Sequence, residues 1–175
     1  MINPVSVKQI KWHVVYTRSR AEKKVHEELT IRNIESFLPL QKKLRQWKDR
    51  KKWVEMPLLP GYCFVHISRK EYDKVLQTNN VVGYVRFDGK AAVIPDDQIY
   101  ALKQMITQFD VEVDVSEKNF RKGKKIEIIA GPLMGIRGEL IAQRGKNRFV
   151  VRIMQINTTF SVELSADKLS YIPFS

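Results

Sequence analysis

The chain has 175 residues, 43% of them hydrophobic, a single cysteine and a formal net charge of +12 from 31 basic and 19 acidic side chains. That length holds one medium domain or two small ones with real cores. Cys63 alone excludes an internal disulfide and a multi-cysteine zinc site. No run approaches the roughly 18 apolar residues of a membrane span, and residues 1–11 lack the apolar centre of a signal peptide, so a reducing cytoplasmic setting and no membrane partner are expected. The charge is uneven: residues 1–106 hold 20 basic and 11 acidic side chains, residues 107–119 hold 1 and 4, and residues 120–175 hold 10 and 4. Two basic blocks around an acidic hinge fit a polyanionic partner, nucleic acid above all; the plain alternative is solubility.

In chain order, Trp12 to Thr17 alternate and are rich in β-formers, which predicts a first strand. Ser19 and Glu22 have capping-box spacing, and Ala21, Val25 and Leu29 recur every four residues. A helix is therefore predicted over residues 20–32, ended by Asn33. Phe37 to Leu40 read as a second strand whose Pro39 argues for an edge or a strand end. Then comes the densest charge of the chain: Lys42, Lys43, Arg45, Lys48, Arg50, Lys51 and Lys52 against Asp49, with Trp47 and Trp53 interleaved. Like charges cannot pack together in a core, so an exposed hairpin or loop is expected. Its cations can displace counterions from phosphates, and an aromatic ring can lie against sugar or base.

After the turn at Pro60-Gly61, a strand places Cys63, Val65 and Ile67 on one face and Tyr62, Phe64 and His66 on the other. Both faces are apolar. One meets a core; the second is covered either by another segment of the chain or by a docked partner. Ser68 and Glu71 repeat the capping spacing, Tyr72, Val75 and Leu76 give a helix, and Asn79-Asn80 closes it. Val81 to Phe87 form the next strand, Asp88-Gly89 a hairpin turn and Ala91 to Ile94 its partner; Pro95-Asp96 opens a third helix carrying Ile99, Leu102 and Ile106. The order suits an α+β sandwich, an antiparallel sheet with helices on one face. Phe109, Val111, Val113 and Val115 alternate with acids and Ser116; period alone reads as a strand, charge and position as an extended linker, and the linker is preferred. From Phe120 onward five short strands, near residues 125–130, 136–143, 148–156, 160–164 and 169–172, point to a small all-β barrel.

The stretch Ile126-Glu-Ile-Ile-Ala-Gly131-Pro-Leu-Met-Gly135-Ile-Arg-Gly138-Glu-Leu140 looks like a KOW motif, its glycines permitting a strand, a sharp loop and a second strand. With Trp12, Pro60-Gly61-Tyr62 and the third helix, residues 10–173 resemble the NusG family of transcription elongation factors. The resemblance implies an NGN-type domain over residues 8–106, a linker over 107–119 and a KOW barrel over 120–173. It implies a non-enzymatic factor, without a cofactor or metal, cytoplasmic at the nucleoid and monomeric. Its N-terminal domain is expected to bind the clamp helices of RNA polymerase through Leu59, Tyr62, Phe64, Phe87 and Ile99. In relatives of the RfaH type, basic residues at the first helix touch the non-template DNA strand; here Arg18, Arg20, Lys23 and Lys24 stand in that region. Nascent RNA is the other nucleic-acid partner in view, and the barrel is expected to recruit a ribosomal protein or a termination factor. Tyr84-Val85-Arg86-Phe87 and Ala92-Val93-Ile94-Pro95 look closer to specialised, operon-restricted relatives of the RfaH and UpxY types, whereas Phe149, Val150, Val151 and Ile153 give the C-terminal part strong strand propensity. The competing reading is a ribosome-associated or general RNA-binding KOW protein. His13, His26 and His66 are scattered without ligand spacing, and Cys63 sits in an apolar strand where it packs rather than reacts, so no catalytic site is expected.

Overall fold

The computed structural model describes residues 9–108, 113–116, 122–130, 134–143, 145–164 and 170–173. In chain order the elements are β1 (Lys11–Thr17), α1 (Glu22–Ile31), β2 (Glu35–Phe37), β3 (Leu40–Gln46), β4 (Lys51–Pro57), β5 (Tyr62–Ile67), α2 (Tyr72–Leu76), β6 (Val81–Tyr84), β7 (Arg86–Phe87), β8 (Lys90–Ala91), β9 (Val93–Ile94) and α3 (Asp96–Gln108). There follow β10 (Asp114–Ser116), β11 (Lys124–Ile128), β12 (Arg137–Gln143), β13 (Lys146–Ile153), β14 (Thr158–Leu164) and β15 (Tyr171–Pro173). They form two compact units, Met1–Leu38 with Pro60–Pro95, and Pro39–Leu59 with Asp96–Ser175.

The first unit is an antiparallel sheet in the order β2-β5-β1-β6, with β9 also pairing β1. Register places Trp12 opposite His66, Val14 opposite Phe64 and Tyr16 opposite Tyr62. The period-2 rule then fixes the two faces. Cys63, Val65 and Ile67 join Val15, Val25, Leu29, Ile34, Val75 and Tyr84 in one buried cluster, which is the helix-backed face expected of this strand. Burial pushes the Cys63 thiol up to about 12, with the nearby Glu22 adding to the effect, so it stays a neutral packing group at ordinary pH.

Two capping-box spacings in the sequence have different outcomes. Ser68 and Glu71 make theirs: the Ser68 N–H and Oγ–H both donate to Glu71 Oε2, at 2.9 and 2.6 Å, and open a single 3-10 turn before α2. Ser19 and Glu22 do not, because α1 begins after Ala21 with no side-chain cap. Glu22 is buried and accepts the Gly61 N–H at 2.7 Å, while the Gly61 carbonyl accepts the Thr17 N–H at 2.8 Å. Gly61 itself sits at φ +83, a left-handed conformation natural to glycine, so helix, strand and turn converge on one residue. Asn33 at φ +58 ends α1 as expected, and Asp88 and Gly89, both at positive φ, make the predicted hairpin turn. The strand expected over residues 81–87 divides at Val85, whose N–H turns to the Val14 carbonyl while its own carbonyl accepts Ala92 N–H.

In the second unit, β3 and β4 form an isolated two-stranded ribbon, closed at its base by Leu58 N–H to the Pro39 carbonyl at 2.8 Å. Six strands make an antiparallel sheet in the order β10-β14-β13-β12-β11-β15, and α3 lies against β12 and β13. Two features differ from expectation. Helix α3 and the basic ribbon group with the C-terminal sheet, and part of the expected linker is a strand: Asp114, Val115 and Ser116 pair with Ser161, Phe160 and Thr159. Alternation wins over charge there, because Val113 is buried while Asp114 faces out and pairs with Arg148. Residues 109–112 lie outside the described residues. The KOW-type glycines act by different means. Gly135 is left-handed at φ +86, whereas a Cβ on Gly138 would stand 2.4 Å from the buried Phe149 ring and 2.8 Å from the Val150 carbonyl; Gly131 lies outside the described residues. Beside Gly138, Glu139 pairs with Arg152 Nε at 2.8 Å and accepts the Gly123 N–H at 2.9 Å, which satisfies both carboxylate oxygens.

Candidate functional site: an aromatic sheet face and a basic ribbon

The second face of β5 is built by the β1–β5–β2 register. From one end to the other it carries three ring pairs. Trp12 and His66 stack at 4.6 Å with an interplanar angle of 10°, and His66 Nδ1 meets Glu35 Oε2 at 2.6 Å. Phe37 and Phe64 lie 5.9 Å apart, and Tyr16 and Tyr62 lie 5.2 Å apart. Their spacing is that of cross-strand aromatic pairs, which stabilise a sheet beyond the area they bury. Only part of this face is open. Phe64 and Val14 are fully buried in its middle, Tyr62 is half-buried, and Tyr16 is exposed at the rim.

Exposure is uneven over the expected docking patch. Of its five residues, Leu59, Phe64 and Ile99 are buried; Tyr62 is half-buried; Phe87, on the β7–β8 hairpin, is 44% exposed. Tyr62, Phe64 and Phe87 belong to the first unit, Leu59 and Ile99 to the second. Tyr16 was missed, although its place opposite Tyr62 follows once the first strand is paired antiparallel with the strand after Gly61.

The basic residues at α1 are all solvent-facing. Arg18, Arg20, Lys23 and Lys24 are exposed, the Arg18 N–H bonds the Asn80 carbonyl at 2.9 Å, and Arg20 holds a left-handed φ of +61. On the ribbon, register sets Leu44 opposite Trp53, Gln46 opposite Lys51, Lys43 opposite Val54 and Arg45 opposite Lys52. Trp47 N–H donates to the Arg50 carbonyl at 2.8 Å, so Lys48 and Asp49 form the tip. Lys42, Lys43, Arg45, Lys48, Arg50, Lys51 and Lys52 are all exposed, as predicted for this segment. Among the described residues no group of three or more His, Cys, Asp or Glu could hold a metal ion, and no helix is long and apolar enough to cross a membrane.

The described residues thus show a helix-backed antiparallel sheet, a cationic β-ribbon and an all-β C-terminal sheet, a mixed α/β class of protein. A family model described as transcription termination factor NusG matches residues 10–103, more than half of the chain. Over 168 residues the chain is 27% identical to the transcription termination/antitermination protein NusG of Streptococcus pyogenes serotype M3 (strain ATCC BAA-595 / MGAS315), covering 87% of this chain and 92% of that one. The protein of serotype M1 matches to the same extent. A solved structure of Thermotoga maritima NusG, concerned with its domain interaction, shares the fold at a TM-score of 0.51 and 22% identity, covering 91% of this chain and 96% of that one. The chain belongs to the NusG family of transcription termination and antitermination factors.

Proposed function

We propose that this factor binds elongating RNA polymerase through the first unit, using Tyr62 and Phe87, and suppresses pausing or termination. The observation that carries the reading is the aromatic rim: Phe87 stands exposed on a two-residue-turn hairpin, and Tyr62 and Tyr16 form a ring pair left partly open beside a buried Phe64. Aromatic side chains exposed on rigid strands lose little entropy on binding, which makes them suitable anchors for a protein partner. Phe64 is buried in the middle of the same face, so its contact with a partner requires the face to be uncovered. Binding to the clamp helices across the polymerase cleft disfavours the opened, paused state in proportion to the difference in affinity for the two states.

In the same reading, Arg18, Arg20, Lys23 and Lys24 meet the non-template strand, the basic ribbon meets DNA or nascent RNA, and the C-terminal sheet recruits a ribosomal protein or termination factor. The segment from Tyr84 to Phe87 supports service to a few operons rather than to all transcription. The test is affinity for purified core RNA polymerase, with Tyr62→Ala/Phe87→Ala set against the native chain. Loss of binding by a variant that still melts cooperatively, well above the assay temperature, supports the reading. Native affinity in the double variant overturns it, and tight, salt-sensitive RNA binding with no affinity for polymerase favours a general RNA-binding role instead.

A further inference from the structure

We propose that the β3–β4 ribbon is a single-strand nucleic-acid binding element in which an unpaired base stacks on the Trp53 indole. The inference rests on the reading of this ribbon as facing nucleic acid, and adds to it which form is bound and by which face. Because opposite residues in an antiparallel pair share a face, Leu44, Gln46, Lys51 and Trp53 lie on one side of the ribbon, together with the charge-balanced pair Lys42 and Glu55, and Lys43, Arg45, Lys52 and Val54 lie on the other. The two sides therefore differ in chemistry. One is a line of three cations. The other presents a tryptophan that is 65% exposed, set against an exposed Leu44 and one alternate position along the strand from Lys51.

No fold requirement accounts for Trp53. Among the described residues the ribbon is paired only to itself, so its strands make no ladder there with either of the larger sheets, and a smaller residue opposite Leu44 would keep the register. Charge selects the occupant: seven cations against Asp49 and Glu55 across residues 42–55 select a polyanion over an apolar peptide. The indole then selects the form. In a duplex the base faces are already stacked and only phosphates and groove edges are offered, whereas a single strand offers a free base to a flat ring and its phosphates to the neighbouring lysines. A ribbon of this kind can also enter a major groove, and binding to duplex is therefore the comparison that decides.

The experiment uses the full chain and fluorescence anisotropy with labelled oligothymidylate, oligouridylate and a short mixed-sequence duplex at matched salt. Trp53→Leu is expected to weaken both single strands about tenfold and to leave duplex binding and the salt slope unchanged, since no charge is removed. Trp53→Phe, which keeps an aromatic face, restores most of the affinity, and Trp47→Leu at the turn has little effect. In a Trp47→Phe background the remaining indoles are the buried Trp12 and the exposed Trp53, and the solvent-exposed part of the emission is quenched by single strands and not by duplex, a readout that needs no variant at position 53. The tighter of the two oligonucleotides identifies DNA or RNA as the natural source. Equal loss on duplex and single strand, no loss on either, or no binding of the native chain to single strands overturns the proposal. Polymerase binding through Tyr62 and Phe87 is untouched by these substitutions, so the two readings fail separately.

Discussion

Strands β4 and β5 are neighbours in sequence and opposites in what they are for. Both are antiparallel and both alternate, and only a short turn through Pro60-Gly61 separates them. Strand β5 lies between β2 and β1 and is buried over four of its six residues; β4 has one partner and exposes its first three residues outright. The same backbone geometry thus serves packing in one case and presentation in the other, and sheet position decides which. A substitution at a sealed residue of β5 should therefore register chiefly as lost stability, and one in the ribbon as lost binding.

The largest effect expected is at Phe64, whose full burial beside Phe37 makes Phe64→Ala cost about 3–5 kcal/mol, read from the urea midpoint of the native chain against the variant. A cost below about 1 kcal/mol would place Phe64 in a loose, solvent-ready face instead. Next is Glu22→Ala, which strips the acceptor from the Gly61 N–H and should cost about 1–3 kcal/mol; Glu22→Gln, which keeps an acceptor oxygen, should recover part of it.

A smaller, pH-dependent effect is expected at His13. Burial lowers its pKa below 6.5, outweighing the Ala92 carbonyl that meets Nδ1 at 3.0 Å; Lys11 lowers it further. Between the native value and 6.5 the unfolded chain binds more protons than the native one, so stability is full above that window and falls as pH drops through it. The melting temperature of native protein minus that of His13→Asn should shrink between pH 7.5 and pH 5.5; a constant difference would show that His13 titrates alike in both states. Smallest is the stability change for Lys43→Gln/Arg45→Gln on the ribbon, under about 0.5 kcal/mol, while the salt slope for nucleic acid falls by up to about 2. A large destabilisation there would break the contrast between the two strands.

Much of this contrast is legible in the sequence, because period-2 alternation assigns Cys63, Val65 and Ile67 to one face, and a run of seven cations cannot be interior. What period does not convey is whether a face is covered. Tyr62 and Phe64 are two residues apart on the same side, yet one is half-open and the other sealed. Glu22 carries two signals: three residues after Ser19 it has the spacing of a capping partner. Its spacing to Val25 and Leu29 also puts it on the buried stripe of α1, where an acid must find a donor, and Gly61 supplies one. Similarly, charge concealed the strand at Asp114–Ser116, where the acid sits on the outward side of a paired edge.

The central claim, that the aromatic rim of the first unit couples this factor to a transcribing polymerase, is tested most directly by single-round transcription through a strong pause with purified polymerase. The native chain is expected to shorten the pause and Tyr62→Ala/Phe87→Ala to leave it at its unaided length, with both proteins folded at the assay temperature. Equal pause-shortening by the double variant, or no effect of the native chain at saturating concentration, would contradict the account.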